Sequence, residues 1–263
     1  MIRRKYLQEY GAFRYWELDL LRGMAVVMMI AFHSLYDLDF FSVQLPLDVH
    51  SGTFQKFAEA TASIFLLLVG VSLKISSARA VIRGEEGFLR YLRRGVGIFS
   101  WGMVVTLSTF LFLGEGFVVF GILHLIGLSI ILSFPLLKRP RWAPPLGSMA
   151  ILVGLGLRFF SFDSFLLLWL GLIPRHFQSV DYFPLLPWFG VVAAGIFLGD
   201  LLYPGGSRRF FLPDLSMKTP AKQLCLLGRN SLAIYLLHQP ILLISMELLG
   251  LIDIGSRLAL QTA

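Results

Sequence analysis

The chain has 263 residues, of which 56% are hydrophobic and only 15% are charged, whereas a soluble domain carries roughly 25% charged residues. Its mean hydropathy of +0.74 excludes water as its main solvent. The net charge of +7 could suggest nucleic acid, but the Lys and Arg residues are confined to short segments between apolar runs, as in membrane loops. We therefore expect no nucleic-acid partner. The single cysteine, Cys225, excludes an intrachain disulfide.

Seven apolar stretches follow one another, and each is long enough to cross the hydrocarbon core, which takes about 20 residues. They cover 17–38, 53–75, 89–112, 117–137, 146–173, 183–203 and 223–250. The predicted fold is all-α, a polytopic transmembrane helix bundle of about seven spans. We expect one integral membrane domain over 1–263, placed in the cell membrane as a multi-pass protein.

Basic residues occur in alternate connections between these stretches, which predicts that the amino terminus and every basic connection are cytoplasmic. The stretch 146–173 is interrupted by Arg158, and its last part, 164–173, reaches only about 15 Å. An eighth crossing there would place the basic connection 204–222 outside, against the charge rule, so seven crossings are favoured.

The first stretch contains ionisable residues, which are costly inside a membrane and usually face a cavity or a partner. Arg22 and His33 are eleven residues apart, so both project from one helix face about 16 Å apart along the axis. Asp37 lies one turn beyond His33, where a carboxylate can orient the imidazole, and Asp19 is placed to pair with Arg22. The alternative is that Arg22 reaches the cytoplasmic headgroups and that His33 only supports helix packing.

The last stretch begins with Arg229, Asn230 and Ser231 and then contains Tyr235 and His238. Ser231, Tyr235 and His238 have the spacing of one helix face. Hydrogen bonds between helices explain Asn230 and Ser231 equally well.

Two further histidines are candidates. His124 lies inside the fourth stretch, and His50 follows Asp48 in the connection between the first two stretches, from which it could fold into a cavity. Because the intramembrane histidines lack the i, i+4 spacing of a metal site and no Cys assists them, we expect no metal.

Several motifs together resemble a known family. They are Asp19-Leu-Leu-Arg22-Gly23 with His33 after nine residues, Ala62-Ser63-Ile64-Phe65 with Gly70 and Ser72, Phe120-Gly121-Ile122-Leu123-His124 with Gly127, Phe183 to Gly190, and Leu227-Gly-Arg-Asn-Ser-Leu-Ala-Ile-Tyr-Leu-Leu-His238-Gln239. In this order they resemble the prokaryotic relatives of the heparan-alpha-glucosaminide N-acetyltransferase catalytic domain, within the transmembrane acyltransferase superfamily. The resemblance runs from about Trp16 to Ile241.

This resemblance implies an acyltransferase that moves an acyl group, typically acetyl from cytoplasmic acetyl-CoA, to an acceptor on the far side of the membrane. Arg22 and His33 match the Arg-(x)10-His pattern of the wider superfamily. In the heparan enzyme an Asn is similar in position to His33, and the catalytic histidine follows in the outer loop, where His50 is the match. The resemblance thus leaves His33 and His50 as the two candidates for the base.

The chemistry of acyl transfer needs a base for the acceptor and donors for the oxyanion. His33 with Asp37, or His50, would be the base, and Tyr235, His238 or His124 would donate to the thioester oxygen. The phosphates of CoA would be held at the cytoplasmic side, because Arg forks match phosphate oxygens. The residues expected there are Arg22, Arg93, Arg94, Arg229, Asn230 and Ser231. Direct transfer and an acetyl-histidine intermediate both fit these groups.

The expected partners are acetyl-CoA, an extracytoplasmic glycan or other small acceptor, and membrane lipids. A homodimer is the expected candidate for an assembly. The rival interpretation is a non-enzymatic transporter or a lipid- or substrate-binding membrane protein whose buried His and Arg form a proton or substrate path. Binding of CoA, as opposed to proton-coupled flux, would separate the two.

Overall fold

The computed structural model describes residues 14–41, 43, 52–160, 165–175 and 177–255. Its α-helices are α1 (Trp16–Phe40), α2 (Gly52–Arg83), α3 (Phe88–Leu113), α4 (Ile122–Leu132), α5 (Phe134–Lys138), α6 (Ala143–Leu157), α7 (Leu185–Leu202), α8 (Thr219–Arg229) and α9 (Ser231–Leu248). Short 3-10 helices cover Pro140–Trp142, Phe165–Leu170 and Pro204–Gly206.

Five of these helices, α1, α2, α3, α7 and α9, are long and apolar enough to cross a membrane. On α3 large apolar side chains such as Trp101, Leu107 and Leu111 are exposed, as expected of a surface that faces lipid. The protein is therefore a polytopic helical membrane protein, as the composition predicted.

The remaining two predicted spans are broken in the structure. In 117–137 the helix begins only at Ile122, and α4 and α5 together would extend about 25 Å. In 146–173 helix α6 ends at Leu157, and the 3-10 helix Phe165–Leu170 follows separately. Both pieces are shorter than the roughly 30 Å of the hydrocarbon core, so the count of seven stays a prediction.

The chain divides into two compact units. The middle unit is Leu66–Leu212, and the end unit consists of the described residues of Arg14–Phe65 and Pro213–Ala263. The expectation that residues 1–263 form one domain stays a prediction.

The middle unit is built on a core that α2 to α7 all contribute to. Its buried residues are Leu73, Tyr91, Ile130, Leu136, Leu137, Ala143, Ala193 and Ile196. Helices α2 and α7 run parallel: Gly70 faces the Val192 carbonyl, and one turn further the Lys74 ammonium contacts Asp200 at 2.9 Å.

Helices α3 and α4 of the middle unit run antiparallel. Thr106 contacts His124, and Thr109, further along α3, accepts a hydrogen bond from the Val118 amide, which precedes α4. Helices α6 and α7 are antiparallel as well, because Gly154 lies against Pro187 and Gly147 against Gly190. These directions are the ones that a seven-span path requires.

The end unit pairs α1 with α8 and α9, and all three helices run in the same direction. Residues meet in the same order along both segments: Trp16 with Cys225, Asp19 with Arg229, His33 with His238, and Asp37 with Gln239. Parallel spans start on the same side of the membrane, so the path from α1 to α9, the first and last described helices, makes an odd number of crossings. Five and seven both satisfy this condition.

A close approach of two glycines allows α1 and α8 to pack backbone against backbone. A Cβ at Gly23 would meet the Leu224 carbonyl oxygen, and a Cβ at Gly228 would meet that of Asp19. Small residues permit this kind of contact between membrane helices. It fixes the start of α9 beside the first turns of α1.

Candidate active site

Two histidine rings from opposite ends of the sequence meet in the end unit. His33 of α1 and His238 of α9 have ring centroids 4.8 Å apart, with planes tilted by 59°. His238 is buried, and Phe32 packs edge-on against His33. The rings of Phe32 and Phe54 stack at 4.7 Å. The two histidines thus lie beside the stacked rings of Phe32 and Phe54.

The hydrogen bonding of His238 assigns its tautomer. Its Nδ1 lies 2.6 Å from the Tyr235 carbonyl oxygen, which can only accept, so Nδ1 carries the proton. In the neutral ring Nε2 then has a lone pair. This Nε2 atom is buried and has no hydrogen-bond partner among the described residues. His238 therefore presents a proton acceptor.

Asp37, expected to orient His33, is bonded to a different residue. The Gln239 amide Nε2 donates to Asp37 Oδ1 at 2.7 Å, and Asp37 is buried. Within the described part of the chain no hydrogen bond joins Asp37 to His33. Asp37 Oδ2 and Gln239 Oε1 are buried without a partner. We call His33, Asp37, Tyr235, His238 and Gln239 the histidine cluster; the Tyr235 ring lies 5.7 Å from that of His238.

A second polar cluster lies at the other end of α1. Asp19 is buried, its Oδ1 accepts from Arg22 Nη1 at 3.0 Å, and its Oδ2 accepts from Arg229 Nε at 3.3 Å. Arg14 approaches the same Oδ2 at 3.6 Å. The predicted pairing of Asp19 with Arg22 is confirmed. Three guanidinium groups share one carboxylate, so this Asp19 cluster keeps a net positive charge.

The residues beside Arg229 mark a break between helices. The Asn230 side-chain amide donates to the Leu226 carbonyl at 2.9 Å and closes the end of α8, and Ser231 is the first residue of α9. The predicted span 223–250 is therefore two helices that meet at Asn230.

His124 lies in the middle unit and is 1% exposed. Its Nδ1 accepts from the Gly121 amide at 3.2 Å, and its Nε2 lies 3.5 Å from the Thr106 hydroxyl. Both ring nitrogens thus have protein partners, and the first of these contacts satisfies an amide at the start of α4. This arrangement fits a structural role.

The remaining candidates of the sequence analysis belong to the middle unit or lie outside the described residues. Arg93 and Arg94 are exposed residues of α3 in the middle unit, and their predicted role in holding CoA stays a prediction. His50 and its neighbour Asp48 lie outside the described residues.

The last kind of site is a metal site. Within 14–41, 43, 52–160, 165–175 and 177–255 no group of three or more His, Cys, Asp or Glu side chains could hold an ion. The expectation that the protein uses no metal stays a prediction.

Sequence reasoning missed two members of these clusters as site residues. Gln239 was quoted only within a motif, although its position directly after His238 carries it to α1. Asp19 was expected to pair with Arg22, but its bond to Arg229 depends on the approach of α8 to α1. An intramembrane glutamine was the signal available, since such residues rarely face lipid.

Fold and clusters define a polytopic helical membrane protein that brings two imidazoles, one of them buried, together inside its membrane helices. A family model described as heparan-alpha-glucosaminide N-acetyltransferase, catalytic, matches residues 14–240. The chain belongs to this family, which confirms the resemblance that the motifs carried and indicates a membrane acetyltransferase. The comparisons with curated proteins and with solved structures gave no match.

Proposed function

We propose that the protein transfers an acetyl group from cytoplasmic acetyl-CoA to a hydroxyl or amino group of an acceptor on the outer side, with a glycan as the acceptor class. The observation that carries the proposal is the unpartnered Nε2 lone pair of His238 beside His33. The membership of the acetyltransferase family supports it.

The proposed reaction needs one base and one oxyanion donor. The acceptor oxygen or nitrogen attacks the thioester carbonyl carbon while its proton passes to His238 Nε2. The C–S bond then breaks, and the proton passes from the imidazolium to the leaving CoA sulfur. Tyr235 is the proposed donor to the thioester oxygen in the transition state. His33, whose ring lies 4.8 Å from that of His238, is the second histidine of the proposed site.

The Asp19 cluster is the proposed site for the CoA phosphates. Arg22 and Arg229 carry guanidinium groups, which match phosphate oxygens in pairs. The Arg229 side chain is 46% exposed, so its guanidinium remains accessible while Nε is bonded to Asp19. Asn230 and Ser231 add polar groups beside it. Arg22 and His33 are about 16 Å apart along α1, a separation that the pantetheine arm of CoA bridges.

The experiment is acetyl-CoA binding and CoA release by the detergent-purified protein. Wild type is compared with His33→Ala, His50→Ala and His238→Ala. We expect His238→Ala to bind acetyl-CoA like wild type and to release CoA about 100-fold more slowly, since general base catalysis contributes at least this much. Ser245→Ala is the control on the same helix, because the one bond of the Ser245 hydroxyl within the described part of the chain goes to the Leu242 carbonyl of α9.

Each result of this experiment has a defined meaning. Slow release in His50→Ala alone would move the base to the outer connection, which the family resemblance also allows. Wild-type rates in all three variants would exclude a histidine base. A wild-type protein that does not bind acetyl-CoA would favour the rival transporter or lipid-binding function.

A further inference from the structure

The histidine cluster has an excess of hydrogen-bond acceptors. Its three buried atoms without a partner among the described residues are His238 Nε2, Asp37 Oδ2 and Gln239 Oε1. The tautomer of His238 makes Nε2 an acceptor, and the other two atoms are oxygens. Gln239 uses one of the two N–H groups of its amide on Asp37 Oδ1, and this bond leaves the three acceptor atoms unsatisfied. A bound molecule can bring the missing donors.

The burial of these acceptor atoms indicates that a polar ligand binds to them. Asp37 is 3% exposed and His238 is 8% exposed, and leaving buried acceptors unpaired is unfavourable for folding. An apolar pair at the same positions would pack without that cost. A carboxylate whose bonded neighbour is a neutral amide also lacks charge compensation. Both features are expected where a polar ligand completes the network.

The three acceptors lie on neighbouring residues. His238 and Gln239 are consecutive on α9, about 1.5 Å apart along the axis, and the Gln239 amide is bonded to Asp37 of α1. A ligand with one donor group can satisfy only one of these neighbouring acceptors. A ligand with two neighbouring donor groups can place the first at His238 Nε2 and the second at the oxygens of Asp37 and Gln239.

We propose that Asp37 and Gln239 form an acceptor-recognition subsite that selects molecules with a second hydroxyl next to the one that is acetylated. This proposal rests on the proposed function and assigns the acceptor a vicinal diol. The hydroxyl at His238 Nε2 is the nucleophile, and its neighbour donates to Asp37 Oδ2 or Gln239 Oε1. The role of Asp37 is then to hold the acceptor, a role distinct from orienting His33.

The test uses a matched pair of small acceptors, trans-cyclohexane-1,2-diol and cyclohexanol, which differ by one hydroxyl. Acetyl ester formation from acetyl-CoA is measured for the purified full chain at several concentrations of each alcohol. We expect wild type to prefer the diol about tenfold in kcat/KM, as one hydrogen bond to a charged group allows. Compared with the diol, cyclohexanol lacks the second hydroxyl, and this loss should raise KM more than it lowers kcat.

The decisive variants are Asp37→Asn and Gln239→Leu. Both should reduce the preference for the diol to near one, while the affinity for acetyl-CoA stays within a factor of two of wild type, which shows that the variants are folded. Ser34→Ala is the control, because among the described residues the Ser34 hydroxyl bonds to the Ile30 carbonyl of its own helix alone. This control should keep the full preference.

Two kinds of result would overturn the proposal. Equal rates with both alcohols in wild type, or a diol preference that survives in Asp37→Asn and Gln239→Leu, would show that water or another group satisfies these oxygens. Binding and hydrolysis of acetyl-CoA without transfer to either alcohol would refute the diol subsite and leave acetyl-CoA chemistry standing. The absence of acetyl-CoA binding would refute the proposed function itself.

Discussion

Asp19 and Arg229 are 210 residues apart in the sequence, yet Arg229 Nε donates to Asp19 Oδ2 over 3.3 Å. The bond joins the first turn of α1 to the end of α8. Because Asp19 also accepts from Arg22, one buried carboxylate determines where two guanidinium groups of the proposed CoA site lie.

The first prediction concerns the Asp19 carboxylate. Asp19→Asn should destabilise the protein by about 3 kcal/mol, because it removes the buried negative charge that accepts from both Arg22 and Arg229. Unfolding in SDS reports the loss, and the KM for acetyl-CoA should rise as well. Arg14→Ala is the control and should change stability little, since the Arg14 side chain is 64% exposed. Equal stability of Asp19→Asn and wild type would contradict the role of this cluster.

The second prediction compares two helical glycines. Gly23→Ala should cost about 2 kcal/mol, because the new methyl group would meet the Leu224 carbonyl of α8. Gly97→Ala should be neutral or stabilising by up to about 1 kcal/mol, since nothing lies within 4 Å of a Cβ at this position of α3. The same SDS unfolding assay measures both. A tolerated Gly23→Ala would argue against the backbone contact of α1 with α8.

A third prediction separates His124 from the histidines proposed to take part in the reaction. His124→Ala should lower stability by about 2 kcal/mol, because the Gly121 amide loses its buried acceptor. Its rate of CoA release per folded molecule should remain near that of wild type. Loss of activity at unchanged stability would instead return His124 to the list of reacting groups.

The parallel course of α1 and α9 leads to the fourth prediction. Single cysteines in a Cys225→Ser background should report the sides of the membrane through a reagent that does not cross it. Glu115→Cys and Asp253→Cys should react in intact cells, and Glu86→Cys and Lys218→Cys only after permeabilisation. These positions are exposed in the structure. If Lys218 and Asp253 reacted from the same side, the single crossing by α8 and α9 would be excluded.

Much of the fold could be predicted because hydrophobic length is a strong signal in membrane proteins. The stretches 17–38, 53–75, 89–112 and 183–203 correspond to α1, α2, α3 and α7. Hydropathy does not report helix breaks, so it missed the break at Asn230. This break depends on local backbone conformation, to which an apolar average is insensitive. The end of α6 at Leu157 agrees with the interruption that Arg158 indicated in the stretch 146–173.

The sequence indicated which polar residues are unusual but gave no information on their partners. His33 and His238 were both candidates, since each costs free energy in lipid. Their ring contact depends on the register between α1 and α9, which long-range packing determines. For the same reason Asp37 was assigned to His33, its neighbour one turn away, whereas its hydrogen bond goes to Gln239.

The central claim is that an acetyl group crosses the membrane while CoA does not. The most direct measurement places the protein in liposomes, with acetyl-CoA labelled in the acetyl group on the cytoplasmic side and glucosamine on the other. The account predicts labelled product on the glucosamine side, CoA retained on the cytoplasmic side, and product formation about 100-fold slower with His238→Ala. Two results would contradict the account: intact acetyl-CoA on the glucosamine side of the membrane, or product that forms equally well with His238→Ala.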